Sequence, residues 1–498
     1  MLMVPFLTAG PLTLDEHGSY WLLESDTPST TLKRSLGYAA IPPLSAWVQL
    51  VFVNVGGRTE LMLRLPSAIA FVLSIVVVWQ LGRELGGDVM GGVSALLLAW
   101  HPEAMDEVRI ARCYGLVMLL SAVSFWMTVR WARSPARWGY AIGWALSGAG
   151  LLWTHYMTAP VLVLELTTLC GFRALGPKCS PAEWKRLLTA VVLVVFLAAP
   201  LIPAVMRMAE WSPYLSLGHQ PSTLWSLFGP IWMVGLGVGW LVARGLSFRV
   251  LSPGSNDCAR SVLVTLLIWG LVPLLFMTAV THMGLAGLNN PRYRVAFAVP
   301  AVCCLATVLT RGHKPSAAIW GAVALLVSAW SFQASSPWQP SHLVNAERYD
   351  WRQIAGLIER DGHPGEPLFV QSGLVESYLV PVFFEDRLFM DYVSCRLSTF
   401  YLRTPHPRYA LPFLWSDQTG MIAYFSTVIR EQAKHGDTVW VACATDTDLN
   451  RNSLAAMKSL LQEVGYRVVE QTDFATAALV HYELGGLSPI KLEERTGR

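Results

Sequence analysis

The sequence predicts a mainly α membrane protein with a small α/β domain towards its C-terminal end. Of its 498 residues, 53% are hydrophobic and 14% are charged, whereas about a quarter of the residues of a soluble domain are charged. Long apolar runs fill the first two thirds of the chain, and mixed polar sequence fills the rest. These observations predict a polytopic helical bundle of about ten transmembrane helices, with additional interfacial helices.

The predicted helices follow from apolar segments that approach the roughly 20 residues needed to cross a bilayer. They are 65–82, 89–100, 113–131, 138–152, 157–172, 187–206, 222–243, 261–282, 292–310 and 316–333. A further apolar stretch, 42–55, is short and begins with two prolines, so we expect it to lie flat at the membrane surface. If it spanned instead, the segment before it would move to the opposite side.

Basic residues assign the two sides of the membrane. With 42–55 lying flat, one set of loops carries 13 Lys and Arg and the other carries 9. The positive-inside rule makes the richer set cytoplasmic. The predicted protein is therefore a multi-pass protein of the cell inner (plasma) membrane. Its extracytoplasmic parts are loops 10–64, 101–112, 153–156, 207–221 and 283–291, together with the C-terminal domain.

Two domains are predicted, a transmembrane domain over 1–333 and an extracytoplasmic α/β domain over 334–498. The second prediction rests on strand-like runs that alternate with helical stretches. The runs are 367–370, 438–442 and 477–480, and the helical stretches are 351–360 and 453–464. Residues 1–9 are apolar but too short to span, and they lack a charged start. Either the chain begins outside, or a first helix precedes it; we favour the second interpretation.

The composition also limits which binding partners and cofactors the sequence predicts. The net charge of +3, without a basic stripe that alternates with aromatic residues, argues against nucleic acid. None of the eight cysteines has a metal-type spacing, and a disulfide stays open for Cys395 and Cys443 alone. No ligand set demands a divalent metal, so dependence on a metal stays open.

Acidic and basic residues concentrate at the extracytoplasmic ends of the predicted helices. A carboxylate can accept the proton of an attacking hydroxyl, and arginine binds phosphate through fork-shaped hydrogen bonds. The pattern therefore suits a polar acceptor and an anionic lipid-linked donor. The predicted catalytic residues are Asp15, Glu16 and Asp106, and the predicted donor-phosphate or substrate residues are Arg64, Glu107, Arg109, Arg112, His155 and Arg292.

Four stretches, in order and on one predicted face, resemble the polytopic glycosyltransferases of the GT-C fold. The resemblance is to the branch of the protein O-mannosyltransferases and lipid A aminoarabinose transferases (glycosyltransferase family 39-like). The stretches are Leu12–Glu16, Leu63–Ala68, His101–Leu116 and Pro291–Tyr293 with Pro300, and the Trp153–Tyr156 turn is also similar. The resemblance covers 12–300.

This resemblance implies transfer of a sugar from a polyprenyl phosphate, in contact with membrane lipid, to an extracytoplasmic acceptor. It assigns Asp15 as the base of a direct, inverting displacement in which the lipid phosphate leaves. Two positions depart from the family pattern: Ile41 replaces a frequent His, and Ile110 replaces a frequent Glu. These departures leave open a shifted acidic partner, a changed substrate or a loss of activity.

Alternative interpretations stay open beside the enzyme. Asp15 and Glu16 could belong to a solvated loop or to a helix N-cap, the arginines could reach lipid headgroups, and His155 could be a packed interfacial residue. Asp446–Asp448 is expected to start a turn or helix rather than to bind a metal. The whole chain could instead be a transporter or lipid-binding protein, or a catalytically inactive relative that serves as a scaffold.

Overall fold

The computed structural model describes residues 10–25, 27–37, 42–175, 180–211, 291–331, 346–413 and 437–485, with isolated positions between 237 and 279 and between 424 and 428. The predicted segments 1–9, 222–243 and 261–282 lie outside the described residues, apart from single positions. Contacts divide the chain into two compact units. Met1–Thr8 with Thr31–Pro340 is called the helical unit here, and Ala9–Thr30 with Ser341–Arg498 is called the sheet unit.

Helices make up the described part of the chain before residue 332. In order they are α1 (Leu14–Leu23), α2 (Pro28–Gly37), α3 (Pro43–Gly56), α4 (Glu60–Gly86), α5 (Asp88–Ala99), α6 (Pro102–Val108), α7 (Tyr114–Arg133), α8 (Trp138–Thr154), α9 (Ala159–Leu175), α10 (Pro181–Ala198), α11 (Ile202–Trp211), α12 (Pro291–Arg294), α13 (Ala298–Thr310) and α14 (Pro315–Ser331). Short 3-10 turns at Tyr156–Thr158, Ala199–Leu201 and Val295–Phe297 join neighbouring helices.

Several of these helices have the length and composition of membrane spans. Among the described residues, four candidates are Glu60–Gly86, Tyr114–Arg133, Pro181–Arg207 and Arg292–Thr310. Apart from the end residues Trp100 and Cys113, the predicted apolar segments within the described ranges fall on helical residues, and the chain is a helical membrane protein. The predicted count of about ten spans stays a prediction. The helix at Pro43–Gly56 has 14 residues, or about 21 Å, which is less than the hydrocarbon thickness.

The outward side of α10 shows why this unit needs a lipid environment. Leu188, Val192, Val195 and Phe196 are each more than half exposed. Soluble monomers rarely present a continuous apolar surface of this kind, because it costs free energy in water. Buried apolar side chains, including those of α4, α5, α7, α8, α9 and α13, form a large core in this unit.

A close approach between α4 and α7 joins two of the sequence motifs. A Cβ atom on Gly115 would lie 2.0 Å from the backbone carbonyl oxygen of Ser67. The Gly115 N–H also donates a hydrogen bond to Ser67 Oγ at 3.2 Å. Glycine lets the two backbones approach, as small residues do at membrane helix interfaces. The contact fixes the start of α7, where Arg112 and Tyr114 lie.

We expect the substitution Gly115→Ala to force α4 and α7 apart, because the added methyl group meets backbone. The free energy of unfolding should fall by about 1–3 kcal/mol. Gly92→Ala on α5 is the matched control, since its Cβ would meet nothing within 4 Å. Thermal unfolding of the detergent-solubilised protein measures both. Equal midpoints for Gly115→Ala and the wild type would contradict the close contact.

The sheet unit contains a mixed five-stranded sheet in the order β2-β1-β3-β5-β4. Its strands are β1 (Leu368–Gln371), β2 (Arg408–Ala410), β3 (Thr438–Ala444), β4 (Tyr466–Asp473) and β5 (Ala477–Leu484). Its helices are α15 (Ala346–Asp361), α16 (Val380–Phe383), α17 (Arg387–Val393) and α18 (Asp448–Glu463), with 3-10 turns at Val375–Leu379 and Cys395–Leu397. β1 pairs in parallel with β2 and β3, and β5 pairs antiparallel with β3 and β4.

Apart from the end residues Pro367 and Val464, the three predicted strand runs fall on β1, β3 and β5, and the two predicted helical stretches fall within α15 and α18. The core of the sheet includes Trp351 and Ile354 of α15 with Val370, Trp440 and Leu479 of the strands. β2 and β4 were not predicted. β2 has three residues, and β4 is an edge strand with mostly exposed side chains, so neither carries a strong hydrophobic signal.

The sheet unit includes a segment from the opposite end of the sequence. The predicted domain boundary assigned residues 1–333 to the membrane part, whereas the contacts group Ala9–Thr30, with α1, into the sheet unit.

Two further expectations from the sequence concern this unit: a possible disulfide between Cys395 and Cys443, and a turn or helix start at Asp446–Asp448. Cys395 and Cys443 are both buried free thiols. Thr447 caps α18 through its side chain, and Asp448 lies in the first turn of that helix.

Candidate active site

The short helix α6 carries the acidic residues of the second predicted loop. His101 caps it, since its Nδ1 accepts a hydrogen bond from the Ala104 N–H at 3.3 Å. Pro102 occupies the first helical position and Glu103 lies in the first turn, both of which favour a helix start. Burial and the Arg294 charge lower the pKa of His101 to about 3, so His101 is neutral in the folded protein at neutral pH.

Two of the three acids of α6, Glu103 and Asp106, lie in ion pairs. Arg294 Nη2 lies 3.4 Å from Glu103 Oε1, and Arg109 Nη1 lies 3.8 Å from Asp106 Oδ1. Burial raises the pKa of Glu103, and the Arg294 charge opposes this shift. Burial also lowers the pKa of the Arg109 guanidinium, whose side chain is 1% exposed. Asp106 and Arg109 therefore partner each other, and Asp106 is the more accessible of the two, with 32% of its side chain exposed.

Two tyrosine rings lie close to His155, which is between α8 and α9. The ring centroid of His155 is 5.8 Å from that of Tyr114 and 5.2 Å from that of Tyr293. The guanidinium of Arg292 lies 5.7 Å from the Tyr293 ring centroid. The motif at the start of α7, the turn after α8 and the start of α12 thus meet in one part of the helical unit.

His155 is held as a neutral hydrogen-bond donor. Burial lowers its pKa to about 3, and the nearby positive charges of Arg112 and Arg292 lower it further. Its Nδ1 accepts a hydrogen bond from the Met157 N–H at 3.2 Å. A neutral imidazole that accepts through Nδ1 carries its proton on Nε2. His155 therefore offers an N–H beside two arginines, and this arrangement suits an anionic group such as a phosphate.

Asp15 and Glu16 lie on α1, in the sheet unit, and differ in their burial and contacts. Glu16 is fully buried and closes a capping box with Thr13: the Thr13 N–H donates to Glu16 Oε2 at 2.7 Å, and the Glu16 N–H donates to Thr13 Oγ1 at 3.2 Å. Asp15 is half-buried and takes no part in this cap. Glu16 therefore stabilises the start of α1.

The remaining predicted residues, Arg64 and Glu107, also belong to the helical unit. Arg64 is fully buried near the start of α4, and Glu107 is partly exposed on α6. Of the predicted substrate residues, the structure brings Arg112, His155 and Arg292 together. Asp106 and Arg109 form a separate pair. Among the described residues, no group of three or more His, Cys, Asp or Glu side chains is placed to hold a metal ion.

One buried carboxyl was not singled out in the sequence. Ser124 Oγ and Trp144 Nε1 each donate to Glu165 Oε2 at 2.7 Å, so Glu165 joins α7, α8 and α9. A charged residue inside a membrane helix is costly and needs such partners. In the sequence, Glu165 could have been identified as the single Glu within the apolar segment 157–172.

Comparisons with known proteins support the fold of the chain. The family model described as dolichyl-phosphate-mannose-protein mannosyltransferase matches residues 40–202. The crystal structure of ArnT from Cupriavidus metallidurans in the apo state is similar, with 14% identity and a TM-score of 0.61 over 96% of this chain and 95% of that chain. No curated protein sequence matches the chain.

Two further structures are similar. ArnT from Cupriavidus metallidurans bound to undecaprenyl phosphate gives a TM-score of 0.60 at 14% identity, over 96% of each chain. The arabinofuranosyltransferase AftD from Mycobacteria gives a TM-score of 0.51 at 14% identity, over 97% of this chain and 42% of that chain. The resemblance predicted from the motifs is confirmed: the chain has the GT-C fold of membrane glycosyltransferases.

Acid should destabilise the protein through its buried histidines. In the folded state the pKa values of His101 and His155 are about 3, whereas unfolded histidine titrates near about 6.5. The unfolded state therefore binds more protons between these values. The free energy of unfolding should fall as pH drops below about 6.5, by up to about 1.4 kcal/mol per pH unit for each histidine.

The variant His155→Gln should lose less stability on acidification than the wild type, because one of these groups is removed. Thermal midpoints at pH 7.5 and 5.0 provide the measurement. His363→Gln, at an exposed histidine of the sheet unit, is the control and should follow the wild type. The same pH dependence in all three proteins would contradict the neutral state of His155.

Proposed function

We propose that the chain is an integral membrane glycosyltransferase that moves a sugar from a polyprenyl phosphate to an extracytoplasmic acceptor. The observation that carries the proposal is the cluster of Arg112, His155 and Arg292 with two tyrosine rings. It supplies positive charge and N–H donors in a fold whose relative ArnT binds undecaprenyl phosphate. A phosphate monoanion or dianion is the ligand that such donors favour.

In the proposed reaction, Asp15 accepts the proton of the acceptor nucleophile, a hydroxyl group. The nucleophile oxygen forms a bond to the anomeric carbon as the bond from that carbon to the phosphate oxygen breaks, and the configuration inverts. The leaving lipid phosphate takes the electron pair, and Arg112 and Arg292 stabilise its negative charge. Asp15 rather than Glu16 takes this role, because Glu16 is buried in the helix cap.

The donor would reach the site from the bilayer, and the acceptor from the extracytoplasmic side that the positive-inside rule assigns. The acceptor class is a protein, lipid or glycan. Asp106 is a candidate to assist the reaction, since its carboxylate is partly accessible beside Arg109. Arg64, Glu107 and Arg109 remain proposed substrate residues.

The transporter alternative predicts charged residues at mid-membrane depth in broken helices. Within the described residues, Glu165 is a buried carboxyl of this type, but Ser124 and Trp144 satisfy its Oε2 atom and join it to neighbouring helices. The Arg112 cluster lies instead at helix ends. This distribution favours the enzyme over the transporter.

Asp15→Asn should lower sugar transfer by about 100-fold or more, the contribution typical of a general base. The assay uses proteoliposomes, membrane extract as the acceptor pool, and polyprenyl phosphates that carry radiolabelled mannose, aminoarabinose or arabinofuranose. Asp88→Asn, at an exposed acid at the start of α5, is the matched control and should retain wild-type transfer. Turnover by Asp15→Asn at the wild-type rate would contradict the role of Asp15. Failure of the wild type with all three donors would contradict the proposed donor class.

A further inference from the structure

The helix that carries Asp15 is built into the sheet unit along its whole length. In α1, all residues from Glu16 to Leu23 are buried. The helix has 10 residues, which is too short to be stable alone in water. Its position therefore depends on its tertiary contacts, and the described contacts come from the segment 391–408.

At the C-terminal end of α1, Arg408 joins three parts of the unit. Its NH2 atom donates to Glu24 Oε2 at 3.1 Å and also to Asp391 Oδ1, and its NH1 atom donates to the Leu397 carbonyl oxygen at 3.1 Å. Trp21 Nε1 donates to the other oxygen of Asp391 at 2.7 Å. Glu24, Asp391, Arg408 and Trp21 are called the clasp below.

The clasp is shielded from solvent, with side-chain exposures of 11% for Arg408, 8% for Glu24 and 24% for Asp391. Burial raises the pKa of Glu24, but the Arg408 charge and the Thr399 N–H outweigh it and leave the pKa below its usual value. The Thr399 N–H donates to Glu24 Oε1 at 2.8 Å. Shielded charges of opposite sign with matched hydrogen bonds give directional contacts that a purely apolar interface lacks.

At the N-terminal end of α1, the contacts approach Asp15. The Leu12 N–H donates to the Tyr401 hydroxyl at 2.9 Å, and the His17 ring meets the Tyr401 ring edge at a centroid distance of 5.6 Å. Arg396, which stacks on the Trp351 ring at 4.8 Å, acts electrostatically on Asp15. The same segment of the sheet unit thus contacts α1 on both sides of the carboxylate.

We propose that the sheet unit is the positioning device for the proposed base: the clasp and Tyr401 hold α1 so that Asp15 keeps one orientation. Arg408 and Tyr401 are positioning residues, because they are proposed to act on Asp15 through their contacts with Glu24, Leu12 and His17. This inference rests on the proposed function of Asp15. It gives the sheet unit a part in catalysis.

The experiment compares Arg408→Gln and Tyr401→Phe with the wild type in the full-length protein. Hydrogen exchange followed by mass spectrometry reports on peptides over 10–25 and over β3–β5, and the transfer assay gives kcat and the KM for the donor. In both variants, protection over 10–25 should fall at least about 10-fold while β3–β5 stays protected. The value of kcat should fall by about 10- to 100-fold with an unchanged donor KM, because misplacement of a catalytic group by about 1 Å has effects of this size.

Tyr401→Phe removes one hydroxyl group and keeps the ring, so it remains informative if Arg408→Gln fails to fold. Arg408→Lys should restore part of the protection and of kcat, since it keeps the charge without the fork. Arg467→Gln, on the exposed edge strand β4, is the control and should match the wild type in both measurements.

Unchanged protection over 10–25 in both variants would overturn the inference, and so would lost protection with an unchanged kcat. If the wild type is inactive with all donors, the proposed function is contradicted, and so is the catalytic role given to the clasp. In that case the exchange data still decide whether Arg408 and Tyr401 hold α1. The two failures are therefore distinguishable.

Discussion

The pairing of Arg408 with Glu24 and Asp391 is the interaction on which the position of the proposed base depends. It joins residues that are 384 and 17 positions apart in the sequence, so it forms only when the two ends of the chain fold together. Loss of one partner from a buried ion pair costs about 3–5 kcal/mol, because the remaining charge is left without compensation. A short capped helix that could not persist alone becomes a fixed part of the sheet unit. The α/β domain is thereby required for the geometry of Asp15.

In the helical unit, positively charged side chains lie beside apolar ones. Gly115 brings α7 against Ser67 of α4, and the turn after α8 presents His155 between Tyr114 and Tyr293. Burial keeps His155 neutral while Arg112 and Arg292 supply the charge. A neutral N–H with two guanidiniums can bind an anion with less repulsion within the site than three cations would cause. This arrangement of charge and N–H donors is the basis for the proposal that the cluster binds a phosphate.

Much of this could be predicted from the sequence, for identifiable reasons. Apolar length predicts the helices, short strand-like apolar runs predict β1, β3 and β5, and motif order predicts the GT-C fold. Local patterns also explain the cap at Thr13 and Glu16, since Thr followed three residues later by Glu is a capping-box signature. The clasp could not be predicted, because no local pattern links Glu24 to Arg408. The separate roles of Asp15 and Glu16 likewise depend on burial, which adjacent residues of one charge do not reveal.

The most direct test of the account is a cryo-EM structure of the full-length protein in nanodiscs with undecaprenyl phosphate. The account predicts density for the phosphate within hydrogen-bond distance of Arg112 and Arg292, with His155 Nε2 directed at it. The same density should be absent from Arg112→Met and Arg292→Met at equal lipid concentration. Phosphate density at another part of the chain, or density that persists in both variants, would contradict the central claim that this cluster binds the donor.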